Sequence, residues 1–196
     1  LRLGLENPMD QRDQIRDKKH QAKQRLLNLG YPENKIDLIW SRFKANYFTA
    51  FSEQQISWQS EHLLTSTDLS QPSVIVSNKA MHGGTQVFVY SPYSGALFAR
   101  LVSVIGSKKA QIQHAQVLTT KDGYVLFSFV ILEVSGDPIA SGRAQSIKRG
   151  LEQALSDPRK KIRFKKSRSQ RFKDFNIKPK IVLRPHARKD RSLIEI

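Results

Sequence analysis

Apolar positions follow two regimes along the chain. Before residue 70 they recur at helical spacing; after it they alternate or run together. Asn7 and Pro8 form a cap with proline at the first helical position, and the segment they open runs to Leu29, where Gly30 is a C-terminal stop. "ENKIDLIWSRF" sets Ile36, Ile39, Trp40 and Phe43 on one helical face. "SEQQ", Ser52 to Gln55, matches a capping box, and the helix it starts carries Ile56, Trp58, His62 and Leu63. "SVIVSNKA" then reads as a short strand. Thr85 to Tyr90 alternates, with Val87 and Val89 on one face. Gly95 to Ser107 predicts a helix with Leu97, Leu101, Val104 and Ile105 inward. "AQIQHAQVLTT" is a strand, and "KDG", Lys121 to Gly123, is a tight hairpin turn. "YVLFSFVILEV" is a long apolar strand central in a sheet. After a turn at "SGDP", Ser141 to Leu155 predicts a second amphipathic helix, with Ile147, Leu151 and Leu155 on one face.

The order β-α-β-β-α lacks one strand of a split βαβ, ferredoxin-like unit, and "KPKIVLRP" at 178–185 can supply it. "RSLIEI" begins a further strand as the sequence stops, the pattern of a truncated chain. The fold class is therefore α+β: a helical N-terminal segment, then a βαββαβ unit with an antiparallel sheet.

One stretch suggests a site. In "HGGTQVFVYSPYSGALFARL", residues 82–101, a glycine pair launches a strand, and a short Pro/Ser/Gly turn leads into an apolar helix. That order is typical of loops that hold a small ligand against a helix N-terminus.

Composition narrows the classes. At 196 residues and 39% hydrophobic, the chain can bury a real core. No apolar run approaches the ~18 residues of a membrane span, and the N-terminus lacks a signal peptide's apolar stretch. The absence of cysteine removes disulfides, thiolate zinc sites and cysteine nucleophiles, and fits a reducing cytoplasm. The net charge of +16 is concentrated. Pro158 to Arg191 holds 15 Lys/Arg against Asp174 and Asp190, leaving about +3 for the rest. Within it "RKKIRFKKSRSQRFKDF" interleaves cations with Phe164, Phe172 and Phe175. Such a run can track a nucleic-acid backbone or hold another acidic partner. It can equally be a solvated linker or an intramolecular strip, and no nucleic-acid-binding motif accompanies it.

Catalytic chemistry is not visible. The five histidines (His20, His62, His82, His114, His186) have no metal-ligand spacing. There is no HExxH, GxxxxGK[ST], GxGxxG or GxSxG, and no DxD pair after a strand to hold magnesium. Trp40 and Trp58 lie on apolar helical faces and read as core; His62 reads as a helix-surface or satisfied core residue, and His82 as a loop residue.

Several motifs occur in a telling order: "YFTAFSEQQISWQSEHLL" (47–64), "GGTQVFVYSP" (83–92), "LFA" (97–99), "HAQVLTTKDGYVLFSFVILE" (114–133) and "GLEQAL" (150–155). Together they resemble the bifunctional PII uridylyltransferase/uridylyl-removing enzymes of bacterial nitrogen regulation, over essentially the whole chain. The resemblance implies a segment of a longer enzyme whose nucleotidyltransferase and HD phosphohydrolase domains, with their expected magnesium, lie elsewhere. It implies the helical segment after the HD domain at 1–70, a first ACT domain at 74–157, a basic linker at 158–177, and a closing strand with the start of a second ACT domain at 178–196. The parent would be an enzyme and this segment non-catalytic and cytoplasmic. Its partners would be the PII protein, the second ACT domain and glutamine as effector, with neither membrane nor nucleic acid among them.

The resemblance also implies an ACT ligand pocket built from Ser91, Tyr93, Ser94, Gly95, Ala96, Leu97, Phe98 and His114. Backbone N–H groups at Ala96, Leu97 and Phe98 would meet a ligand carboxylate. Where relatives resemble "SPDRPGLFA" this chain has "SPYSGALFA", so Tyr93 stands for an aspartate, Gly95 for a proline and Ala96 for a glycine. Where relatives resemble "NLSVHDAQI" it has "KAQIQHAQV", so Lys109 replaces an asparagine and His114 an aspartate. A ligand ammonium would lose charge-assisted hydrogen bonds of about 1.5–3 kcal/mol each. Weak or absent glutamine binding is the expectation here; the alternative is that Tyr93 and His114 line a working pocket in another way.

Overall fold

The structure, a computed structural model, describes residues 8–77, 83–156, 182–185 and 192–195. The chain divides into two compact units, residues 1–163 and 164–196.

The first unit begins with four helices: α1 (Pro8–Asn28), α2 (Glu33–Ser41), α3 (Ala45–Ala50) and α4 (Glu53–Thr65). Their ends are set locally. Gly30 has φ +87, its N–H donates to Leu27 O and that of Tyr31 to Leu26 O, which is a Schellman stop for α1. At α4 the capping box forms in both directions: Gln55 N–H donates to Ser52 Oγ, and the Gln55 side chain accepts from Ser52 N–H.

The sheet domain follows as β1 (Ser73–Val76), β2 (Thr85–Pro92), α5 (Leu97–Ser107), β3 (Gln111–Thr119), β4 (Tyr124–Leu132) and α6 (Ser141–Ser156). Strand order is β1-β2-β4-β3, with every neighbouring pair antiparallel. The place beside β2, expected to be filled by a strand within 178–185, is filled by β1. β1 pairs with β2 in antiparallel register (Ser73 opposite Tyr90), so the edge is closed by the segment before β2. In the second unit β5 (Val182–Pro185) pairs antiparallel with β6 (Ser192–Glu195).

Both faces of the sheet are covered. Val87, Val89, Phe127 and Phe129 face α5 and α6, packing on Leu101, Ile105, Ile147 and Leu151. Phe88, Tyr90 and Leu126 face the opposite way and share a core with Ile36, Trp40, Tyr47, Phe48 and Ile56 of the helical layer. Each fully buried side chain of this size contributes about 1.5–3 kcal/mol. Double coverage explains why β2 is buried at seven of its eight positions, although its alternation suggests one buried face. Trp40 is core, as read; its Nε1 donates to Ser60 Oγ at 2.9 Å. Trp58 is partly buried against the same cluster.

The glycine pair before β2 has structural reasons. Gly83 has φ +84, in the region that favours glycine. A Cβ on Gly84 would stand 2.7 Å from Val130 Cγ1 on β4 and 3.1 Å from Ile131 O.

Candidate functional site

The candidate loop joins the end of β2 to α5. Ser91 is buried and its Oγ donates to Pro92 O at 3.1 Å. Tyr93 is 70% exposed. Ser94 O accepts from Leu97 N–H at 3.0 Å, closing the turn over Gly95 and Ala96. The Leu97 N–H expected to meet a ligand is thus already bonded. Ala96 is the N-cap at φ −104, ψ 8, with no side-chain cap, so the helix opens there without needing a glycine. A Cβ on Gly95 would meet nothing within 4 Å.

Beside this turn is a cavity of about 160 Å3 lined by Pro72, Ser91, Pro92, Tyr93, Ser94, Leu97, Arg100, Ala154 and Leu155. It is below the ~300 Å3 at which small-molecule pockets begin, and suits a group of side-chain size. Ser91, Tyr93, Ser94 and Leu97 come together here. Gly95 and Ala96 shape the turn without lining the cavity. Phe98, 39% exposed, lies instead over Phe127 and Phe129, at 6.2 and 6.1 Å between ring centroids.

His114 is not brought to the loop's face. It is exposed on β3 opposite Val130. Strand alternation puts it with Gln116, which donates to Ala50 O, and with Leu118, which packs on the helical core. Ser91, opposite Val125, belongs to the other face. Lys109 is a helix stop: it has φ 57, its N–H donates to Gly106 O and that of Ala110 to Ile105 O. This Schellman geometry favours glycine or asparagine, which tolerate the left-handed region, over the lysine present.

Arg100 and the end of α6 were not in the expected site. Arg100 follows Leu97 by three residues, so the two share a helix face. Its Nη1 donates to Ala154 O at 3.1 Å, placing a cation at the C-terminal end of α6. Among the described residues that line the cavity Arg100 is the one charged group and none is a carboxylate.

Elsewhere, His62 Nε2 lies 2.6 Å from Ser73 Oγ, at the junction of α4 and β1. Burial, helped by the charge of Lys148, holds its ring below the usual histidine range. Among the described residues no group of three or more His, Cys, Asp or Glu could hold a metal ion, and no helix is long and apolar enough to cross a membrane. His82 and the basic segment 158–177 lie outside the described residues.

An antiparallel sheet in this order, with two helices on one face and a strand-to-helix loop at one end, is an ACT-like α+β domain; here a helical layer covers its other face. The comparisons extend over both the layer and the domain. The family model described as the uridylyltransferase GlnD fifth domain matches residues 10–62. Over its full length the chain is 91% identical to a bifunctional uridylyltransferase/uridylyl-removing enzyme of Pseudoalteromonas translucida and 40% identical to that of Vibrio campbellii. The Vibrio atlanticus enzyme is 39% identical over 197 aligned residues. The chain belongs to the bifunctional uridylyltransferase/uridylyl-removing enzyme family, and spans 22% of the length of these relatives. No solved structure matches it.

Proposed function

We propose that this chain is a regulatory, non-catalytic segment of an enzyme that adds UMP to the PII signalling protein and removes it, in the cytoplasm. In this reading its β2–α5 loop belongs to the enzyme's glutamine-sensing machinery. The observation that carries the reading is the 91% identity, across the whole chain, to an enzyme named for both activities. The catalytic domains and their magnesium would lie in the remaining length of the parent.

The site's chemistry supports a role in sensing that this domain does not complete alone. Among the described residues the cavity offers Arg100, two serine hydroxyls and a phenol, and no carboxylate for an ammonium group. An amino acid would therefore bind weakly to this domain by itself. Tyr93, Phe98 and Val117 are exposed large side chains of this domain, a surface open to a partner.

The test is the glutamine dependence of UMP addition and removal in the full-length enzyme carrying Tyr93→Asp. A restored carboxylate at the cavity should move the glutamine midpoint several-fold while the glutamine-free rate stays within about twofold, a 1.4 kcal/mol effect being tenfold. An unchanged midpoint, or a lost glutamine-free rate, would count against the reading.

A further inference from the structure

The strand that leads into the loop touches both layers of the unit. Ser91 lines the cavity. Its neighbour Tyr90 points to the opposite face, where its Oη accepts from Arg42 Nη1 at 3.1 Å. Consecutive strand residues point to opposite sides, so a backbone shift made by a group seated at Ser91 must also move Tyr90.

Arg42 stands at the corner between α2 and α3 and holds the sheet domain at two places. Besides Tyr90, its Nε meets Asp122 Oδ2 at 3.0 Å, in the turn joining β3 and β4. Its Cζ lies 5.7 Å from the Tyr124 ring centroid, and that ring stacks on Tyr90 at 4.8 Å. The backbone repeats the tie, because Lys121 N–H donates to Arg42 O at 2.8 Å and Lys121 Nζ to Ser41 O at 3.0 Å. Other polar bonds between the layers attach elsewhere: His62 to Ser73 on the edge strand β1, Lys44 to Thr119 at the end of β3, Gln55 to Gln86 near the start of β2, and Gln116 to Ala50 O on the outer strand. A guanidinium held at two donors in a fixed fork passes on displacement in a way an apolar contact does not.

We propose that Arg42 is the positioning residue through which a change at the β2–α5 loop reaches the helical layer and so the rest of the enzyme. The proposal rests on the regulatory reading above. Loop, Tyr90 and Arg42 then form one lever, with the sheet as its fulcrum.

The experiment uses the full-length enzyme, glutamine as the probe, and the variants Tyr90→Phe, Arg42→Gln and their double. UMP addition is measured without and with saturating glutamine, alongside each melting temperature. Tyr90→Phe keeps the ring and its stack while removing the acceptor. Each single variant should keep the glutamine-free rate within about twofold and lose about fivefold or more of the glutamine response, the range of allosteric couplings. The double should lose no more than the worse single, since both act through one bond. A merely structural role would instead lower the melting temperature and the glutamine-free rate together, with the fold response intact, and would overturn the proposal. So would a wild-type response in Tyr90→Phe, which decides alone if Arg42→Gln melts below the assay temperature. A wild-type enzyme indifferent to glutamine would remove the regulatory reading and this proposal with it; a responsive wild type with responsive variants would remove this proposal alone.

Discussion

Leu101→Ala asks whether the helical layer and the sheet domain unfold as one body. Leu101 is fully buried on α5, across the sheet from both tryptophans, which belong to the helical layer. Truncating a buried leucine costs about 2–5 kcal/mol, from lost transfer energy and the cavity left behind. For a unit of this size each kcal/mol moves the melting temperature by about 2–4 °C, so a shift of about 4–20 °C is expected. The assay is thermal unfolding followed by tryptophan fluorescence and by far-UV circular dichroism. Phe88 and Tyr90 reach from β2 into the helical core while Val87 and Val89 reach into the other, so neither layer can leave without exposing the sheet. Fluorescence should therefore report the full shift, coincident with dichroism. A tryptophan transition that stays at the wild-type temperature while dichroism splits into two steps would refute the shared core.

Lys109→Gly relieves a left-handed residue in an exposed Schellman cap and should stabilise by about 1 kcal/mol; a lower urea midpoint would contradict the cap assignment. His62 is held below its ordinary 6.5 mainly by burial, so the unfolded chain binds the proton more readily. Its contribution is full above pH 6.5 and is lost as pH falls from there through the folded value. Urea melts at pH 7.5 and 5.5 should show a fall in stability that shrinks in His62→Asn, and an undiminished fall would rule this residue out. Gln59 is fully buried in α4, and neither amide atom has a hydrogen-bond partner among the described residues. Gln59→Met should then be neutral or raise the melting temperature, whereas a drop of several degrees would mean the amide has a partner in solution.

What the sequence made legible was local. The Ser52–Gln55 box and the Gly30 stop each act within a few residues, and both stand as read. The hairpin turn at Gly123, with φ +83, is of the same kind. Non-local pairing was less legible. Nothing in "SVIV" says that β1 rather than a strand after α6 closes the sheet, because both are short, apolar and compatible with the same edge. Phe88 and Tyr90 carried a missed signal: large apolar side chains between Val87 and Val89 point to a strand covered on both faces. The candidate loop was half legible. Its turn and cavity hold Ser91, Tyr93, Ser94 and Leu97, but the pairing that separates His114 from them depends on the irregularity in β3 between Ile112 and His114. A one-residue shift in register exchanges faces, and periodicity does not reveal where a bulge falls. The glycine pair, read as part of a ligand loop, answers to a positive φ and a close approach to β4.

The most direct test of the account is hydrogen exchange by mass spectrometry on the full-length enzyme, without and with saturating glutamine. It reads local opening segment by segment. If loop and corner are coupled through the sheet, peptides covering residues 91–98 and peptides covering the corner at Ser41–Lys44 change protection together, with the same glutamine midpoint. A loop that responds while the corner stays constant would contradict the coupling through the sheet. No response in either segment, in an enzyme whose activities respond to glutamine, would place the sensing outside this chain.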